Sequence, residues 1–310
     1  MTFTADGKRV RCCSDDGSSI LPPHLSHFAC MPIHIENDDP FYSMFGQRCM
    51  NFVRLSIVPD HYCKLGYAKT LSKVTHYIDG SAIYGSDSKT QSELRSFQHG
   101  QLKMFMDFNR QLLPLNPNSE DCLVSGSACF LAGDVRVNQH ITLVALHLLF
   151  AREHNRIADG LHHMNPNWSD DLLFEEARRI VVAEMQHITY NEWLPLVIGN
   201  QAVERFSLLS KPHGFSLDYD EEINPSMTNE FTGAAFRFGH SAVQGKLFVE
   251  KDHHLEEVIL ISDTFNNPGR FRLRYFYDEI MNTLTHEPMQ AVDNSVTHGV
   301  RLVFIVNKII

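Results

Sequence analysis

The sequence is short of several things, and each shortage excludes a class of protein. Its 27 Lys and Arg residues are outnumbered by 37 Asp and Glu, for a formal net charge of -10. A protein that grips a nucleic-acid backbone needs a basic stripe, and none is present. No apolar run approaches the ~20 residues that span a bilayer, and stretches such as Ile141 to Phe150 fall well short. The opening residues, Met1 to Asp16, are polar and lack the apolar centre of a secretory signal. Cysteine is absent beyond Cys129, and no C-x-x-C pair or matching His pair marks a zinc site. No internal repeat, low-complexity tract or interdomain linker stands out. The polar stretch Lys211 to Asn224 reads as a surface loop.

What remains is enough for a substantial core. The chain has 310 residues, 43% of them hydrophobic, which suits one large domain or two ordinary ones. The seven cysteines, Cys12, Cys13, Cys30, Cys49, Cys63, Cys122 and Cys129, crowd into the N-terminal part. Short loops closed by Cys49/Cys63 and Cys122/Cys129 suit disulfides, which persist in an oxidising compartment. Either Cys12 or Cys13 is available to Cys30. An oxidising destination without a signal peptide predicts that the natural N-terminus lies upstream of Met1.

The first third is rich in turn signals, such as Asp15-Asp16-Gly17-Ser18-Ser19 and Pro22-Pro23, and reads as loops and short helices stapled by cysteines. Beyond it the periodicity turns helical. Apolar residues at Leu143, Leu146, Phe150, Ile157 and Leu161 predict a long amphipathic helix over Ile141 to His162, capped near Asn138. Ser169 followed by Asp170 and Asp171 predicts a second helix, with Phe174, Ala177, Val181, Met185 and Ile188 on one face and Pro195 as its stop. Further helices are predicted over Asn229 to Val243 and Tyr275 to Leu284. Strand signals are few and short, so the class is mainly α.

Three segments carry candidate chemistry. In Thr75-His76-Tyr77-Ile78-Asp79-Gly80-Ser81, alternate positions of an extended strand would face one side. The Thr75 and Ser81 hydroxyls, the Asp79 carboxylate and the Tyr77 carbonyl would then offer oxygens to a hard cation such as calcium. Calcium takes about six to eight oxygens, so the loop alone is incomplete. The competing reading is a turn in which Asp79 bonds its own backbone. His240 lies between aromatic neighbours in Phe236-Arg237-Phe238-Gly239-His240, with Arg237 one turn before it, a pattern that suits an axial iron ligand with a cation near an anionic porphyrin edge. A satisfied core histidine is the plainer alternative. Arg136 comes after a Gly133-Asp134 turn and is placed either to stabilise negative charge in a cavity or to form a surface ion pair. Arg152, Glu153, His154 and Arg156 read as buried structural contacts. The doublets His162-His163 and His253-His254 read as solvated loop residues.

Several of these segments, in order, resemble the animal haem peroxidases. They are Thr75 to Ser86, Ala132 to Gln139 with Arg152-Glu153-His154-Asn155-Arg156, Tyr190 to Pro195, Phe236 to Ser241, and Asp293-Asn294-Ser295. The resemblance runs from about Met1 to His298, giving a single domain over 1–300, and leaves Arg301 to Ile310 as an unmatched tail. It implies a helical haem-binding fold in which His240 is the proximal ligand to iron and Arg136 the distal arginine. Arg237 would approach a haem propionate, and Thr75, Tyr77, Asp79 and Ser81 would form half of a calcium site. The implied reaction oxidises a small reducing donor with hydrogen peroxide, outside the cell.

The departures from the family pattern set further expectations. Vertebrate members use Glu for a haem ester where this chain has Gln139, and an amide cannot form that ester, so haem b is expected to bind non-covalently beside Gln139. Met1 to Thr4 resembles the segment just after the family's distal Asp-His-Asp, and the Asn that accepts from the proximal imidazole lies past the end of the match. The sequence is thus read as truncated at both ends. Losing a positioned acid-base group costs on the order of 100- to 10,000-fold, so poor turnover by this chain is expected. Two non-enzymatic readings stand beside it, a secreted binding or adhesion protein and a calcium-binding structural domain.

Overall fold

The computed structural model describes residues 10–60, 62–116, 129–251 and 254–302. About 41% of the chain is helical and the strands are mostly two or three residues long. The helices are α1 (Ser81–Tyr84), α2 (Ser88–Leu94), α3 (Ile141–Met164), α4 (Asp170–His187), α5 (Leu194–Ile198), α6 (Asn200–Arg205), α7 (Asn229–Gly233), α8 (Phe276–His286) and α9 (His298–Leu302).

The long hairpin of α3 and α4 organises the core. Apolar residues at Ile141, Val144, Ala145, Leu148, Ala151 and Ala158 are buried along one face of α3, and Leu173, Phe174, Ala177 and Val181 along α4. Spacings of three and four residues put each set on a single stripe. The stripe of α4 matches the sequence pattern from Phe174 to Val181. That of α3 does not, because Leu146 is 44% exposed. Nearly every position from Leu143 to Phe150 is apolar, so periodicity leaves the face open and packing chooses it.

Ser169 caps α4 as expected, its hydroxyl accepting from Leu172 N at 3.3 Å. Asn138 does not cap α3, whose N-cap is His140. Instead Asn138 clamps the backbone of Phe130 with two hydrogen bonds of 2.8 Å each. Pro195 does not stop α4 either. The helix runs into one π-helical turn, Ile188–Trp193, and Pro195 then opens α5, where its missing N–H has no intrahelical partner to lose. The predicted helix over Asn229 to Val243 is broken. It forms only α7 and a 3-10 turn, Ala235–His240, divided at Ala234, whose backbone leaves the helical region.

The only sheet of any length among the described residues is the hairpin Lys246–Lys251 with His254–Leu260, on which α8 packs, the Thr283 hydroxyl donating to Phe248 O at 3.3 Å. In the N-terminal part, Cys12 pairs with Cys30 and Cys13 with Cys49. Cys63 is free and exposed, which overturns the expected Cys49/Cys63 bridge. The short strand pairings of Ile33–His34 with Cys49–Met50, and of Cys30 with Val53, bring these cysteines together by folding rather than by sequence nearness. Cys129 is disulfide-bonded, but Cys122 lies outside the described residues. His253 lies outside them too. Lys211 to Asn224 is an exposed loop, as expected.

Candidate functional site

The loop from Thr75 to Ser81 bends at His76, Tyr77 and Asp79 rather than running straight, so its oxygens converge by curvature and not by strand alternation. The Thr75 hydroxyl lies 3.4 Å from Tyr77 O and 3.5 Å from the Ser81 hydroxyl. Asp79 accepts from Ser81 N at 2.9 Å, the local turn that the competing reading required. Burial pushes the Asp79 carboxyl up, and hydrogen bonds from Thr75 and Ser81 outweigh it, holding its pKa below the usual range. All four candidate cation oxygens are therefore in one place. No cluster of three or more His, Cys, Asp or Glu exists among the described residues, so any hard cation here would rest on one carboxylate and neutral oxygens.

This loop feeds α1, and α1 is locked to the turn that carries Arg136. Asp134 N donates to Ala82 O at 3.0 Å. A Cβ on Gly133 would lie 2.2 Å from Gly85 N and 2.3 Å from Ser81 O, so only glycine permits this approach. Beyond it, Asp134 accepts from Arg136 N at 2.8 Å, Nε at 2.9 Å and Nη2 at 2.7 Å. The bidentate fork holds the Asp134 carboxyl below its ordinary range, chiefly through the Arg136 hydrogen bonds, and raises Arg136 in return. The Arg136 side chain is 66% exposed. The ion-pair reading of Arg136 is the one its geometry matches. Gln139, half-buried, makes no side-chain hydrogen bond among the described residues.

Sequence reasoning passed over two histidines just downstream. His140 shares a 2.7 Å hydrogen bond with Thr142 and sets its ring edge-on to Phe265. Burial, with His147 nearby, holds its pKa down at about 4, so the ring is neutral at physiological pH. His147 is lowered by burial as well. Their only signal in the sequence was position, at and just inside the start of the helix after Arg136.

His240 and Arg237 share the 3-10 turn Ala235–His240. The expected apolar walls do not enclose His240. It is exposed, as are its chain neighbours Phe231 (41%), Phe236 (58%) and Phe238 (37%), of which Phe231 and Phe236 stack at 5.2 Å. The turn itself is anchored from both sides. Asn229, heading α7, bonds Thr70 and Ala68 O at 2.8 Å each. The buried hydroxyl of Ser241 accepts from Asp293 N at 3.1 Å. Neither ring nitrogen of His240 has a hydrogen-bond partner among the described residues, and the Arg237 guanidinium makes one long contact, from Nε to Thr232 O at 3.3 Å. No hydrogen bond or ion pair joins this turn to the Arg136 turn among the described residues.

The Arg152–Arg156 cluster divides. His154 is fully buried between Tyr84 OH (3.0 Å) and Gly100 O (2.9 Å), as a structural contact should be. Arg156 and Glu153 form an i,i+3 pair with Arg156 mostly exposed, contrary to expectation. His162 is not a solvated loop residue but part of the last turn of α3, stacked on His99 at 4.1 Å.

Comparison with known proteins places these segments in context. A sequence model of the animal haem peroxidase family matches residues 1–308. The chain is 52% identical to a chorion peroxidase of Drosophila melanogaster over 297 residues, covering 95% of this chain and 37% of that protein. It is 39% identical to a chorion peroxidase of Aedes aegypti over 298 residues, covering 96% of this chain and 38% of that one. The chain thus spans well under half the length of either relative. Among solved structures, peroxidase A from Dictyostelium discoideum superposes with a TM-score of 0.68 at 26% identity, over 86% of this chain and 53% of that one. A fatty acid alpha-dioxygenase from Arabidopsis thaliana, at 19% identity and a TM-score of 0.63 over 85% of this chain and 43% of that one, shares the fold.

Proposed function

Since the chain belongs to the animal haem peroxidase family, we propose that it holds haem in a peroxidase that oxidises a small reducing donor with hydrogen peroxide. The observation that carries the reading is His240. An imidazole with no hydrogen-bond partner among the described residues, close in the chain to three exposed phenylalanines and with an under-used guanidinium one turn away, is chemically suited to a flat, apolar, dianionic porphyrin. Bound there, haem would supply the redox chemistry that no protein side chain offers.

The chain's own residues have separable tasks. His240 would hold the iron through a ring nitrogen, and Arg237 would meet a propionate. Gln139 lies beside the group without a covalent link, so haem b is held non-covalently. Arg136 orients and polarises peroxide, once part of its fork is released from Asp134. Thr75, Tyr77, Asp79 and Ser81 hold calcium, which through α1 and Gly133 would brace the Arg136 turn. The domain is a single unit over 1–300, and the protein works outside the cell, a compartment its disulfides suit.

One observation favours the non-enzymatic alternative, a secreted binding or calcium-holding domain: the Arg136 fork is fully engaged by Asp134. Titrating haem into the purified chain separates the two. Uptake with a Soret band, abolished or shifted by His240→Ala, is expected. Identical spectra from both proteins, or no uptake by either, would overturn the haem reading.

A further inference from the structure

The proposed function leaves His147 unused, and its surroundings are unusual. The side chain is 8% exposed, on α3. Its Nδ1 lies 2.7 Å from Leu143 O, and a carbonyl can only accept, so the neutral ring carries its proton there. Nε2 therefore presents a lone pair, and it is buried with no partner among the described residues. Since Nδ1 turns back onto the ring's own helix, the opposite edge faces away from α3. His147 also lines a small cavity of about 10 Å3, walled in addition by Ile83, Leu102, Lys103, Leu131 and Ala132.

A buried acceptor left unpaired is costly, and native interiors rarely tolerate one without water. Of the wall side chains only Lys103 could donate, and its amine is engaged by Glu93 O at 2.7 Å. The carbonyl of Ala132 accepts no hydrogen bond among the described residues, so a second acceptor belongs to the same wall. About 10 Å3 of space for water centres is the room one water needs. Hydrogen peroxide, with two heavy atoms, is too large for it.

We propose that this cavity binds one long-lived water, which donates one O–H to His147 Nε2 and the other to the Ala132 carbonyl. The water pins α3 to the Leu131–Ala132 stretch that leads into Asp134 and Arg136, so it is a structural site behind that turn and not a reaction site. It stands without any assumption about haem.

Two measurements on the purified chain test it. In 15N spectra of the wild type, Nε2 of His147 should resonate as an unprotonated but hydrogen-bonded nitrogen with cross-relaxation to water. A bare nitrogen, or one bonded to a protein group, overturns the proposal. Water-oxygen magnetic relaxation dispersion should register one long-lived water fewer in His147→Phe, whose ring fills the cavity without an acceptor. An unchanged number overturns it equally, and the wild-type spectrum decides alone if that variant does not fold.

Discussion

Two histidines in similar sequence settings end in opposite environments. His154 is fully buried with both nitrogens satisfied, inside a cluster of Tyr84, Phe174 and Gly100. His240 is exposed, near exposed phenylalanines in the chain, and neither nitrogen has a hydrogen-bond partner among the described residues. Satisfaction is what separates a fold residue from a candidate ligand. Where every polar atom is paired, the side chain holds packing together and has nothing left to offer. Where apolar rings and an unpaired imidazole face outward together, folding stability does not account for them.

The contrast breaks most easily at the core. Phe174→Ala should lose about 3–5 kcal/mol, the usual cost of emptying a buried aromatic site, measured by denaturant unfolding. A loss below about 1 kcal/mol would mean that the α3–α4 interface is not the core.

Taken per pH unit, acid should come next. Burial holds His154 and His140 at about 4 in the folded state, against about 6.5 unfolded. Above about 6.5 both states are neutral and stability is intact. Between about 6.5 and 4 the unfolded chain binds protons that the folded chain refuses, so stability falls by up to about 1.4 kcal/mol per pH unit for each histidine. Below about 4 this loss levels off. His154→Leu should flatten part of that slope, which a series of melts from pH 7 to pH 4 would read.

Removing only a donor is gentler. Tyr84→Phe takes the hydroxyl from His154 Nδ1 and keeps the ring, so about 1–3 kcal/mol should go. The smallest effect sharpens the comparison from the other side. Phe236→Ala, at an exposed ring, should change stability by no more than about 0.5 kcal/mol while weakening haem uptake. If it unfolds the protein instead, the aromatic face belongs to the fold and not to a ligand.

Some of this was legible in the chain alone. The stripe from Phe174 to Val181 has one helical reading, and Ser169 before two aspartates has one capping reading, because both signals are local. The family motifs single out His240, Arg237, Arg136, Gln139 and the Thr75 to Ser81 loop as candidates. Other features were not legible. Cys13 meets Cys49 across 36 residues because short strands pair between them. The face of α3 was chosen by neighbours, since its apolar residues occupy every side. Only tertiary structure wedged Gly133 against α1, whereas the Asp134–Arg136 pair joins residues two apart. Tertiary structure also left His240 in the open and a small cavity beside His147. Local sequence dictates local geometry through backbone preferences and periodicity. Burial and pairing depend on which distant segments arrive, and the folded chain alone decides that.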